Sequence, residues 1–453
     1  MDNINADKFL ELLNSGIEKV ENYVVNGELN LGLIIQATTF QLTINKVDFI
    51  NDVKAENSNF GNKLIFTNCT FHSKFKIEKS YFFSLDFKES LFRQPFLLLS
   101  SKFITCSIQN ATFNAAANIE DVTADHISLF DLGKQNILIA NPHFTEMMVF
   151  SLKEKGEIFI GPEGYKPKYE LDPFIKILKI GCGDNFNYSI VIKKITILVL
   201  KIDGFNESGK ILLSDISAEN VIIENFVNNG YVVANNISSK SNSQMLAVQN
   251  SNLGRFEIYN INFEQFDTVN IIDSYIADVV SSNIKWCKSN ALTKVSGNDH
   301  LNSRESFRQL KNIMIKTNNK PDELRFFGYE MRAYHNELKK SKGRRDEKFI
   351  LWTNYYSNQY GLSWMLPLIE LLLINLLLYT VIKINLHQTH FNPNLIINDV
   401  VGYLEFMNPI HKTSEVFFEN KSAIAELFDI VDRLIGGFLL FQFLRAFRRL
   451  VRK

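Results

Sequence analysis

The chain has 453 residues, 46% apolar and 22% charged, with 49 basic and 49 acidic side chains. That length exceeds one typical domain, and nine prolines with 21 glycines exclude collagen-like and linker-rich designs. The neutral total hides an asymmetry: 27 basic against 34 acidic groups over residues 1–300, then 22 against 15 over 301–453.

Residues 1–28 read as an N-terminal helix or cap. Phe9, Leu10, Leu13, Ile17 and Val20 fall near one helical face, while Asp2, Asp7, Glu11 and Glu18 interrupt any apolar run, so no signal peptide is expected. The four cysteines, Cys69, Cys106, Cys182 and Cys287, are widely spaced without a CxxC pair, which fits reduced, buried thiols in a cytosolic segment.

Over 29–140 apolar residues recur at every fifth position: Ile77, Phe82, Phe87, Phe92 and Leu97, then Phe103, Ile108 and Phe113 after a one-residue slip, then Val122, Ile127, Leu132 and Ile137. The beat returns over 201–300 with Ile211, Ile216, Val221, Phe226 and Tyr231, followed by Val248, Leu253, Ile258 and Phe263. Neither a helix of 3.6 residues per turn nor an alternating strand has this period, whereas a solenoid of stacked units does. Small residues such as Ser80, Ser90, Ser101, Cys106 and Ala111 stand two before the beat, as a narrow filled tube requires; Glu219 and Glu224 stand there in the later tract, which predicts looser, broader or interrupted coils. Asn220, Asn225, Asn228, Asn229, Asn235 and Asn236 suit corners between strands. Residues 141–200 lack the beat, carry a turn-rich segment from Gly161 to Pro173, and read either as a bulge in a continuous solenoid or as a cap before a second one.

The small-x-large repeat resembles the pentapeptide-repeat family. The resemblance implies a mainly β fold, a right-handed quadrilateral β-helix of about 20 residues per coil. The match is strong over about 65–115 and weaker over 210–285.

Helical spacing begins at 301–350, a basic neck with 13 basic and seven acidic residues between Arg304 and Lys348. Phe307, Leu310, Met314 and Ile315 share one face; Phe326, Phe327, Tyr329, Met331 and Tyr334 line a second helix. Lys339, Lys340, Arg344 and Arg345, with Arg448 and Arg449 near the end of the chain, read as groups attracted to anionic lipid; nucleic acid is not expected as a partner. The remainder, 351–453, reads as a membrane hairpin with spans at about 364–384 and 424–444, the second having an interfacial helix as its alternative. Basic residues flank both spans and the loop at about 385–423 is acidic, which predicts cytosolic termini, an outside loop and location in a bacterial inner membrane.

The segments ELRFFGYEMRAYHNEL (Glu323 to Leu338), YYSNQYGLSW (Tyr355 to Trp364), EFMNPIHK (Glu405 to Lys412) and LFQFLRAFRR (Leu440 to Arg449) resemble bacterial pentapeptide-repeat membrane proteins with an ion-channel-like helix pair. That resemblance implies a two-helix membrane domain, although no T-x-G-x-G filter lies between the spans, so potassium selectivity is not supported. Glu370, Asn375, Asp432, Arg433 and Gln442 are the candidate pore or intersubunit residues, because a polar group in hydrocarbon must be paired or hydrated. Gly436 and Gly437 are candidate helix-packing positions. His387 and His390 lack a third ligand, so no metal is expected; catalytic residues and cofactors are not expected either. The expectation is a non-enzymatic membrane protein whose cytosolic β-helix binds an unknown protein partner. Its hairpins, too few to enclose a pore singly, act as a homo-oligomeric channel-like or permeabilising effector, host defence being one setting. The alternative is a non-conducting tethered scaffold.

Overall fold

A backbone amide in an extended segment must bond outside its own strand, and from Lys19 to Ser282 it bonds one coil away. The chain thereby winds into a mainly β solenoid of parallel strands, about 12 turns long, followed by a C-terminal helical region. In this computed structural model the chain forms two compact units, Met1–Asn302 and Ser303–Lys453. The residues described are 1–34, 41–133, 136–150, 152, 156–162, 172–183, 185–238, 244–276, 278–287, 300–340, 344–386, 396–408, 410–411 and 422–451.

Phe75 lies opposite Val53 on one side and Phe96 on the other, and Phe96 opposite Ala117, so a coil takes 21 or 22 residues. Two corners flank the strand Tyr81–Lys88: Lys79 and Glu89 hold left-handed backbone angles, φ 49° and 52°. The same geometry runs down one edge at Asn57, Lys79, Ser100, Asp121 and Asn141, and down the other at Lys46, Asn68, Glu89, Asn110 and Asp131. Asn and Asp tolerate this region best among residues with a Cβ, which accounts for their frequency between the beats. The ladder continues through the corners: the Lys79 amide donates to the Leu99 carbonyl at 3.0 Å and the Ser100 amide to Glu120 at 2.8 Å.

Inside, identical positions stack. Phe49, Phe71, Phe92 and Phe113 form a column with ring centroids 5.0, 4.6 and 5.0 Å apart and planes within 13° of parallel. Neighbouring columns meet it edge-on, as in Phe71 against Phe75 and Phe92 against Phe96. The small serines serve the backbone as well as volume: Ser80 Oγ accepts from the Ser58 amide and Ser101 Oγ from the Ser80 amide, both at 3.1 Å. The fifth-position beat slips because a coil of 21 is one residue longer than four fives; the extra residue falls before Phe96, so Leu98 is buried while Leu97 is only half-buried.

Pairing continues from coil to coil through the described residues of 141–200. Glu157–Gly161 lies between Asn136–Ala140 and Ser189–Lys193, and Phe174–Cys182 between His143–Phe150 and Thr196–Asn206. These strands are therefore part of one continuous ladder; most of the turn-rich segment from Gly161 to Pro173 lies outside the described residues. Beyond Val221 the coils widen to 23–25 residues, seen in Val221 opposite Leu246 and Leu246 opposite Val269. Aliphatic side chains replace the phenylalanine columns there and leave an apolar cavity of about 60 Å³ lined by Ile202, Leu213, Val221, Ala234, Leu253 and Phe256, among others. Glu219 and Glu224 do not point inward. Over 211–228 the beat residue is the first of each inward pair, as in Val221 with Ile223 and Phe226 with Asn228, so the residue two before it faces out and Glu224 pairs with Lys201 at 3.0 Å; by Leu253 the beat is again the second, behind buried Ser251.

Helix α1 (Ala6–Asn14) covers the start of the core, with Phe9 edge-on to Phe49 at 5.9 Å. It is shorter than the sequence pattern implies: Val20 already belongs to a strand and Ile17 is exposed. The second unit contains α2 (His300–Lys316), α3 (Lys320–Lys340), α4 (Arg345–Asn358), α5 (Met365–Asn385), α6 (Ile396–Phe406) and α7 (Ala423–Val451). Phe307, Leu310, Ile313 and Met314 form the buried face of α2; Ile315 turns outward instead. Among the described residues α5 is the one helix long and apolar enough to cross a membrane. Helix α7 is longer, but Glu426, Asp429, Asp432 and Arg433 crowd its first half.

Candidate functional site

Helices α5 and α7 pack with their polarity reversed from that of a water-soluble pair. On α7, Leu427, Ile430, Leu434, Phe438, Phe441 and Leu444 are exposed, while Asp429, Asp432 and Gln442 are buried at 3%, 1% and 4% exposure. On α5, Leu372, Leu373, Leu376 and Leu377 face outward and Asn375 is fully buried. Gly436 faces α5 with room for a side chain: a Cβ there would lie at ordinary contact distance, 3.7 Å from Leu371 Cδ1 and 4.0 Å from Asn375 Oδ1. Gly437 faces open space.

The polar groups between the helices pair with one another. With the Asn375 amide turned so that its nitrogen faces its acceptors, it donates to Asp432 Oδ1 at 3.0 Å and to the Leu371 carbonyl at 3.2 Å. Arg433 does not pair with its neighbour Asp432. Its guanidinium lies 2.8 Å from Asp429 Oδ2, one turn back, and Asp429 Oδ1 is 2.6 Å from His411 Nε2. The other ring nitrogen of His411 is 2.7 Å from the Asn408 carbonyl, which ties the loop after α6 to α7. Gln442 stands apart and accepts from Asn358 Nδ2 at 2.5 Å. Glu370 is half-buried and makes no hydrogen bond or ion pair among the described residues. The five polar span residues thus fall into three groups and one single carboxylate rather than one lining. Asp429 and His411 complete a cluster that sequence reasoning passed over; the Asp429–Arg433 spacing of four was its only signal.

A second arrangement joins α4 to α5. Gln359, Tyr360 and Gly361 hold consecutive left-handed angles of 50°, 63° and 83°. Buried Asn358 accepts from the Gly361 amide at 2.8 Å, Arg449 donates to the Tyr360 carbonyl at 3.1 Å, and His335 Nδ1 lies 3.0 Å from the Tyr360 hydroxyl. Burial pushes the Tyr360 phenol up to about 12 and holds the His335 imidazole below its usual value. The Arg449 guanidinium sits 3.9 Å from the Phe327 ring centre, so it is turned into the fold, whereas Lys339, Arg344, Arg345 and Arg448 are exposed. The Lys340 side chain lies outside the described residues. Much of the remaining neck charge is internally paired, as in Arg304–Glu337 at 3.1 Å and Lys311–Glu330 at 2.7 Å.

On the solenoid, one row of left-handed corners borders a polar furrow of about 650 Å³ that includes Asn57, Lys79, Tyr81, Lys102, Asp121 and His143. The four cysteines are buried and unbridged, and burial pushes the Cys69 thiol up to about 12. No group of three or more His, Cys, Asp or Glu capable of holding a metal occurs among the described residues; His387 and His390 lie outside them. No protein-family model, curated protein or solved structure matches the chain.

Proposed function

We propose that the chain is a bacterial inner-membrane protein. Its solenoid is a right-handed quadrilateral β-helix of pentapeptide type that binds a protein partner in the cytosol, and α5 and α7 form a membrane hairpin. The observation that carries this reading is the reversed polarity of that pair: apolar side chains outward, paired polar side chains inward. In water this arrangement would expose an apolar patch and bury charge; in hydrocarbon it turns apolar side chains to lipid while Asn375 pairs with Asp432 and Asp429 with Arg433 and His411. The furrow along the corners, with both signs of charge and a tyrosine, supports a protein-binding role for the solenoid. Oligomers of the hairpin act as a channel-like or permeabilising effector, and the half-buried carboxylate of Glu370 is the polar span group left to face a neighbouring copy or a lumen.

A non-conducting, tethered scaffold is favoured by one specific observation: Asn375, Asp429, Asp432, Arg433 and Gln442 each find a partner within one chain, which needs no pore. Planar-bilayer recording separates the two. Discrete conductance from the full-length protein, altered both by deletion of residues 1–300 and by Glu370→Leu, supports the effector. Silence, repeated in the presence of cell extract to supply a trigger, supports the scaffold.

A further inference from the structure

Helix α4 has an outward face that its own fold does not use. Its inner side packs through Leu351 onto Leu338 and Tyr360, and Glu347 accepts from the Tyr334 hydroxyl at 2.5 Å. On the other side Phe349, Trp352 and Tyr356, spaced three and four apart, are 64%, 50% and 54% exposed and lie against one another, with ring centres 6.3 and 5.1 Å apart. Ile350 extends the patch. Three large rings in van der Waals contact on a water-exposed helix face leave a large apolar area unburied, so an occupant is required.

From this face, its charge and its place in the chain, we infer that the Phe349–Trp352–Tyr356 face of α4 docks on the headgroup region of an anionic bilayer, as an in-plane helix preceding the span. Three features select lipid. The face consists of aromatic rings, two with polar edges, which favour the boundary between headgroups and acyl chains. Residues 339–348 carry six basic and two acidic groups, and Arg344 and Arg345 at the start of α4 are exposed, which complements anionic headgroups. The chain also passes from α4 through the Gln359–Gly361 junction directly into α5, the most apolar helix, so a membrane around α5 lies within reach. The inference rests on the reading of α5 as a membrane span.

The test uses full-length protein in vesicles of phosphatidylcholine with or without phosphatidylglycerol, with acyl chains brominated either near the headgroup or near the terminal methyl. Trp286→Phe with Trp364→Phe leaves Trp352 as the sole tryptophan. The expected result is a blue-shifted Trp352 emission that loses most of its intensity to shallow bromines, less to deep ones, and more when phosphatidylglycerol is present. Adding Phe349→Ser and Tyr356→Ser should abolish that quenching. A separate reporter, Leu373→Trp with all three native tryptophans changed to Phe, reads insertion of α5 through deep bromines. Trp352 unquenched while the Leu373→Trp reporter is quenched would overturn the docking and leave the span intact. Both unquenched would remove the span reading and the docking with it. A Trp352 emission that ignores bromine but shifts with the protein-to-lipid ratio would assign the face to a second copy instead, and quenching indifferent to phosphatidylglycerol would overturn the anionic preference.

Discussion

The solenoid and the α5–α7 pair solve the same problem with opposite signs. Around Phe92 the solenoid collects rings inside and leaves Lys76, Lys88 and Glu89 outside. Around Asp432 the helix pair collects carboxylates and amides inside, with the half-buried Arg433 paired to one of them, and leaves Leu434, Phe438 and Phe441 outside. One chain with one set of side-chain chemistries arranges them both ways; on the proposed reading of α5 and α7 as a membrane hairpin, what differs is the surrounding solvent. Burial of apolar area stabilises the first unit, whereas the helix pair relies on close packing and internal hydrogen bonds.

The sharpest way to break this contrast is to make the outer face of α7 polar. Leu434→Ser, Phe438→Ser and Phe441→Ser together should destabilise the membrane-bound protein by about 2 kcal/mol for each residue removed from lipid. The readout is the fraction retained in membranes after alkaline extraction; unchanged retention with unchanged thermal stability would mean that water already bathed this face. Next comes the solenoid interior. Phe92→Ala removes the centre of the stacked column and should cost about 3–5 kcal/mol, whereas Ile223→Val, in the cavity-bearing coils, should cost about 0.5–1.5 kcal/mol. Hydrogen exchange over the two tracts checks both, and equal losses would erase the distinction between ring-filled and aliphatic coils. A smaller effect is expected at the polar pair. Asp432→Ala strands the Asn375 amide and should cost about 1–3 kcal/mol, while Asn375→Leu combined with Asp432→Leu should restore most of it. Denaturation in detergent measures the difference, and a double variant no better than Asp432→Ala would show that the pair is not coupled. The smallest change is Gly436→Ala, where a Cβ meets α5 at ordinary contact distance and helix propensity should gain about 1 kcal/mol. A loss there would mean that the helices approach more closely than these distances.

Much of the solenoid is legible in the residues because its determinants are local and repeated. The fifth-position phenylalanines, the serines two before them and the Asn-rich corners each act through neighbours one coil away. Where the pattern misleads, the cause is phase: a 21-residue coil moves the beat by one residue, and over 211–228 the beat falls on the other member of the inward pair, which is why Glu219 and Glu224 stand where an internal residue is expected. Residues 141–200 hid their continuity because strands such as Phe174–Cys182 alternate without any five-residue mark. In the helical unit, composition marks α5, but the grouping of its polar residues depends on which turns of α5 and α7 face each other. Asn375 with Asp432, and His411 with Asp429, are separated by 57 and 18 positions and meet only through that packing. Arg449 is the converse case: its basic neighbours are exposed, and only the fold shows it turned onto Phe327.

The pair of left-handed corners in each coil from Lys46 to Asn141 has a consequence for how such a chain varies. Because Lys79 and Ser100 occupy equivalent corners and Phe75 stands opposite Phe96, excising the stretch 79–99 would join Glu78 to Ser100 with the ladder in the same register. Duplicating it would do the same. The solenoid is therefore built to gain or lose length in whole coils, each worth about 4.8 Å, and lineages can adjust its reach as one adjusts a stack, by count, without redesigning its interior.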